Sequence, residues 1–120
     1  MTYTNQEKTS NEVFLLEVDK NRFSRVAQMK NARSGHGIVY MNNKIYVIGG
    51  LTDESNYSNI CEKYNIESNT WDEIAKLNYK VNNCCVCSYN NQYLYKFGGK
   101  SGDRELNAFI ERYNPRLKFT

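Results

Sequence analysis

The sequence predicts an all-β chain assembled from repeated four-stranded antiparallel sheets, and two observations carry that prediction. Short segments rich in β-branched and aromatic residues alternate with clusters of Asn, Gly, Ser and Asp, the pattern of strands joined by turns. The pattern also repeats. Residues 39–50 (VYMNNKIYVIGG) return as residues 88–99 (SYNNQYLYKFGG), 49 positions on, and Tyr64-Asn65 returns as Tyr113-Asn114 at the same displacement. A third, partial copy lies upstream, where residues 23–29 (FSRVAQM) match residues 71–77 (WDEIAKL) at a displacement of 48.

Taken in order, residues 1–12 form a polar tail, 13–29 the outer half of one sheet, 30–77 a complete repeat, and 78–120 a second repeat lacking most of its last strand. The complete repeat reads as strands at about 36–41, 44–49, 59–65 and 70–75. The first two are apolar on both sides and are expected to be buried on both; the last two alternate and are expected nearer solvent. Asn42-Asn43 suits a tight hairpin, since Asn tolerates the left-handed conformation. Gly49-Gly50 and Gly98-Gly99 close the second strand of each repeat, where glycine permits positive φ and close backbone approach.

A hydrophobic strand ending in Gly49-Gly50, then Tyr64, then Trp71 seven residues later, resembles the Kelch repeat. Residues 29–37 (MKNARSGHG) are similar to that family's approach to its innermost strand, and Gly98, Gly99 and Tyr113 repeat the motif. At the second Trp position stands Thr120, with Phe119 beside it. The resemblance implies a β-propeller, in which four-stranded blades pack face to face. Such a ring needs at least four blades, on the order of 160 to 200 residues, so the chain is expected to hold an incomplete ring of about 2.5 blades, a fragment with apolar faces for further blades to cover.

Composition bounds the function. With 40% hydrophobic and 24% charged residues and a net charge of +3, the chain is neither disordered throughout nor strongly basic. The basic residues are scattered, which argues against nucleic acid as a partner. The apolar runs at 13–16 and 45–48 fall far short of the roughly 20 residues of a membrane span. The polar start carries no secretory signal, so a reducing, cytoplasmic setting is expected, with Cys61, Cys84, Cys85 and Cys87 as thiols.

No catalytic constellation stands out, and an enzyme is not expected. His36 is the only histidine and reads as a packed or hydrogen-bonded residue of the inner strand. Cys85 and Cys87 point to one side of a strand and Cys84 to the other, which does not suit zinc; small thiols filling the space between sheets is the simpler reading, and no metal or cofactor is expected. The copper chemistry of some Kelch enzymes calls for several imidazoles or a modified tyrosine arrangement, which one histidine cannot supply.

The resemblance implies partner-binding by Arg33, whose fork would grip acidic groups at the mouth of the channel, with Asn82-Asn83 at the matching place in the next repeat. The variable loops add Asp53 and Glu54, and Asp103 and Arg104, as candidate contacts. The expected function is a protein–protein interaction module whose partner is another protein or further blades. The alternatives are the substrate-recognition part of a BTB-Kelch ubiquitin ligase adaptor, or a remnant of a propeller enzyme.

Overall fold

The computed structural model describes residues 9–102, 105–115 and 118–119. Strands β1 (Val13–Glu17) and β2 (Arg22–Val26) make a two-stranded hairpin. A 3-10 turn at Val18–Lys20 joins them, closed by Asn21 at φ 47°. Strands β3 (Gly37–Met41), β4 (Lys44–Leu51), β5 (Tyr57–Asn65) and β6 (Thr70–Glu73) follow as a four-stranded antiparallel sheet in chain order, as the repeat predicts. Next come β7 (Cys85–Tyr89) and β8 (Tyr93–Phe97), then a small separate hairpin of β9 (Lys100–Gly102) with β10 (Glu105–Leu106), and finally β11 (Glu111–Asn114) and β12 (Lys118–Phe119). Strands β7, β8, β11 and β12 form the second four-stranded sheet.

The turns set the register between repeats. Asn42 and Asn43 both have positive φ, 52° and 62°, and Met41 faces Lys44 across a two-residue hairpin. In the second sheet Tyr89 faces Tyr93, so Asn90, Asn91 and Gln92 make a three-residue turn. One residue is inserted there. The repeat displacement is therefore 48 before the hairpin and 49 after it, which unites the two displacements seen in the sequence. Backbone bridges agree: Arg33 N–H donates to Ser10 O at 3.1 Å, and Val81 N–H donates to Ser58 O at 3.0 Å, each pair displaced by 48. The counterpart of Arg33 is thus Val81, which corrects the assignment of that place to Asn82-Asn83.

Two apolar layers hold the elements together. Met41, Tyr46, Ile48 and Cys61 of the first sheet meet Leu77, where the chain leaves that repeat, and Val81, Leu94 and Tyr113 of the second. On the other side of the first sheet, Val47, Tyr64 and Trp71 pack with Met29, and with Val13 and Val26 of the hairpin. Strand β4 is buried on both sides from Tyr46 to Gly50, as its apolar run predicts, while Ile45 is half-buried at the side of the hairpin. Strand β3 is not: Ile38 and Tyr40 are 62% and 58% exposed, because no described sheet lies over that part of the first sheet. Strand β5 departs the other way, burying Glu62 completely where alternation suggested solvent, because polypeptide covers both its sides.

The first glycine doublet is needed where the links into and out of its own sheet cross the end of the second strand. A Cβ on Gly49 would lie 2.7 Å from Val81 O, and one on Gly50 2.6 Å from Ser34 O. Both glycines have positive φ, 65° and 108°. Gly50 N–H then donates to Val81 O at 2.9 Å, a bond available only because the chains approach so closely.

Candidate functional site

Arg33 is positioned by the link between the hairpin and β3, where its backbone bridges Ser10. Its guanidinium turns inward. Nη2 meets Glu62 Oε2 at 2.6 Å, with the two side chains only 2% and 0% exposed. Nη1 donates to Gly49 O at 2.9 Å and to Ile60 O at 2.8 Å. Glu62 also accepts Lys30 N–H at 2.7 Å and Asn31 N–H at 3.2 Å, so one carboxylate ties the link to the strand below it. The fork expected to grip a partner's acids grips Glu62 instead. The reason is that a buried carboxylate demands a charged, hydrogen-bonding neighbour, and Arg33 is within reach.

The motif aromatics also serve the fold. Tyr64 and Trp71 face each other on β5 and β6 with ring centroids 5.0 Å apart. Trp71 Nε1–H donates to Ala27 O at 2.8 Å, and Tyr64 hydroxyl donates to Asn69 Oδ1 at 2.6 Å. Asn69 Oδ1 in turn accepts Ala27 N–H at 2.9 Å, which binds the outer edge of the first sheet to the chain leaving the hairpin. Tyr113, the counterpart of Tyr64, lies in the core between the sheets, 6.0 Å from Tyr46.

Among the loop candidates, Asp53 accepts from both the backbone N–H and the hydroxyl of Thr9. Glu54 accepts from Asn56 Nδ2 at 3.3 Å within its own loop, and both acids stay exposed. Asp103 and Arg104 lie outside the described residues, and Gly98 and Gly99 sit at the end of β8 with φ 60° and 97°.

His36 is half-buried, and its Nδ1 is sealed from water with no hydrogen-bond partner among the described residues. Burial first, and the nearby Arg33 charge second, hold its pKa below the ordinary value. Cys61 is buried and its thiol is pushed up to about 12 by desolvation. Burial also raises the thiol of Cys84, which packs against the core between the sheets. Cys85 and Cys87 lie exposed rather than between sheets, because the alternation of β7 turns them to its outer side. No group of three His, Cys, Asp or Glu converges to hold a metal ion among the described residues.

Two surfaces remain uncovered among the described residues. The side of the second sheet turned away from the first carries Tyr93, Tyr95 and Phe97 in a row along β8, with Arg112 stacked 4.9 Å from the Tyr93 ring. At the opposite end, a cleft of about 670 Å³ opens between the β1–β2 hairpin and the first sheet, lined by Val13, Leu15, Ile38, Ile45 and Val47 and bordered by Arg33 and His36.

Comparison with known proteins bears on these surfaces. A Kelch motif matches residues 32–78, the span of the first four-stranded sheet and its links. The chain is 34% identical over 94 residues to "Beta-scruin" of Limulus polyphemus, covering 78% of this chain and 10% of that protein. It is 32% identical over 114 residues to "Kelch-like protein 25" of Xenopus tropicalis, covering 88% and 19%, and 33% identical over 89 residues to "Kelch-like protein 15" of Danio rerio, covering 72% and 14%. The chain therefore spans about a tenth to a fifth of the length of the relatives it matches.

Proposed function

We propose, from the premise that this is an all-β chain with a Kelch motif, distantly homologous to segments of kelch-like proteins and scruin, that it works by binding protein rather than by catalysis. One observation carries this reading: the same sheet surface is buried in one repeat and bare in the next. In the first sheet Tyr46, Ile48 and Cys61 are 3%, 0% and 0% exposed because the second sheet covers them. Their counterparts 49 positions on are Tyr95, Phe97 and Ile110; Tyr95 is half-buried, while Phe97 and Ile110 are 39% and 61% exposed. An apolar surface with the residue pattern of a known sheet-on-sheet contact fits the apolar face of another protein. Its neighbours Tyr93 and Arg112 supply aromatic and guanidinium groups of the kind enriched at interfaces.

Size-exclusion chromatography with light scattering over a concentration series tests this. The chain is expected to associate as concentration rises, and the double variant Phe97→Asp/Ile110→Asp to stay monomeric, since both positions are exposed and tolerate charge when nothing covers them. A chain that stays monomeric throughout, or a double variant that associates equally, removes this surface from the interaction.

A further inference from the structure

The cleft at the hairpin has a shape that the chain itself explains. Strand β1 is paired with β2 along one edge only, and no described strand pairs with its other edge. In the first sheet β5 holds the position of β1 and is paired on both edges, with β6 and with β4. The correspondence is tight: Leu16 faces Phe23 as Tyr64 faces Trp71, all displaced by 48. What β4 is to β5, something absent from the described residues is to β1. A free, apolar strand edge is a template for pairing with another chain, and Phe14, Leu15 and Leu16 are 51%, 50% and 45% exposed along it.

The floor and the end of the cleft define the occupant further. Ile38 and Ile45 hold the places of Val86 and Leu94, which pack in the layer containing Tyr46 and Ile48 of β4. At the end stands an independent mark. The counterpart of His36 is Cys84, whose thiol donates to Ile48 O at 3.8 Å, the carbonyl just before the glycine doublet of β4. His36 Nδ1 is buried and has no such partner among the described residues. Arg33 O likewise stands where Val81 O receives Gly50 N–H and comes within 2.7 Å of a Cβ placed on Gly49.

We infer that this cleft receives one extended strand of a partner protein, antiparallel to β1, with bulky apolar side chains at alternate positions over Ile38 and Ile45 and a glycine doublet beneath Arg33. The partner's carbonyl before the doublet accepts from His36 Nδ1–H. Main-chain pairing with β1 supplies affinity, as in other cases of strand addition, and the alternate apolar side chains with the glycines supply selectivity. This is a narrower form of the protein-binding reading, but it uses the opposite end of the molecule from the Tyr95–Phe97 surface, so either can fail alone.

The test uses the full chain and a labelled peptide of the β4 sequence, KIYVIGGL, with flanking lysines for solubility. Fluorescence anisotropy is expected to show saturable binding, and amide exchange to show new protection within residues 13–17. A peptide with both glycines replaced by alanine is expected to bind at least about tenfold more weakly, a difference of about 1.4 kcal/mol. Ile38→Glu, at an exposed position, is expected to abolish binding while β4 and β5 keep their protection, and Phe97→Asp/Ile110→Asp to leave it unchanged. Absence of saturable binding, equal affinity for the alanine peptide, undiminished binding by Ile38→Glu, or protection without peptide of those amides in residues 13–17 that point away from β2 would each overturn the inference.

Discussion

Arg33 and Lys96 occupy unrelated places in the repeat, yet their cationic heads reach the same spot of successive sheets. Arg33 Nη1 donates to Ile60 O at 2.8 Å, and Lys96 Nζ donates to Phe109 O at 3.1 Å, carbonyls displaced by 49. Beside each lies the buried carboxylate of the third strand, Glu62 or its counterpart Glu111. The cation has moved from the link, where Val81 replaces Arg33, to the second strand, where Lys96 replaces Val47. The two solutions differ in quality. Arg33 meets Glu62 at 2.6 Å, whereas Lys96 stands 4.0 Å from Glu111 Oε2, which has no hydrogen-bond partner among the described residues, and bonds Asn107 Oδ1 instead at 3.1 Å. Desolvation, the largest effect, lowers the Lys96 pKa, and Glu111 partly opposes it.

Removing one member of the tighter pair strands the other in the interior. Arg33→Ala is expected to destabilise the chain by about 3–5 kcal/mol, the usual range for breaking a buried ion pair. Lys96→Ala is expected to cost less, given its longer separation from Glu111. Urea unfolding followed by circular dichroism checks both. The reciprocal exchange Val81→Arg/Lys96→Val is expected to be more stable than Lys96→Val alone, because it restores a cation to Glu111 by the route the first repeat uses; a double-mutant cycle without favourable coupling refutes the equivalence.

Gly49 and Gly98 have nearly the same backbone conformation, φ 65° and 60°, but different surroundings. A Cβ at Gly49 meets Val81 O at 2.7 Å, while at Gly98 the nearest atom is Asn107 O at 3.9 Å. Gly98→Ala is therefore expected to cost only the left-handed conformational penalty of about 1–2 kcal/mol. Gly49→Ala adds a backbone clash and is expected to cost more. Equal losses in urea midpoint would show that conformation alone, not the crossing link, requires the doublet.

The imidazole of His36 responds to acid. Because burial and Arg33 hold its folded-state pKa below the ordinary 6.5, the unfolded chain takes up its proton more readily than the folded one. Its contribution to stability is complete above that ordinary value and is lost as pH falls through the window beneath it. The urea midpoint is expected to drop between pH 7 and pH 5, with a shallower drop in His36→Gln.

Thiol reactivity should divide the cysteines by position. Cys85 and Cys87 are exposed on the outer side of β7 and are expected to react with a thiol reagent in the folded chain. Cys61, with its thiol pushed up to about 12, is expected to react only on unfolding. Mass spectrometry after timed alkylation reads this directly; early modification of Cys61 would contradict the burial of β5.

Much of the architecture was legible in the chain of residues. The four strands of the central repeat, the Asn42-Asn43 hairpin and the position of both glycine doublets follow from local chemistry, since alternation, β-branching and tolerance of positive φ act over a few neighbouring residues. The candidate site was less legible. The resemblance places Arg33 at the surface against a partner's acids, whereas its actual partner Glu62 lies 29 residues on, in a strand whose alternation predicts exposure.

The residues alone thus determined that repeated four-stranded sheets would form, and roughly where each strand would run. Only the packed structure decided which charges are sealed inside, where the displacement steps from 48 to 49 at the Asn90–Gln92 turn, and which sheet surfaces stay bare. Strand formation depends on short-range backbone preference, whereas the burial of a charge or of an apolar surface depends on what distant segments place against it.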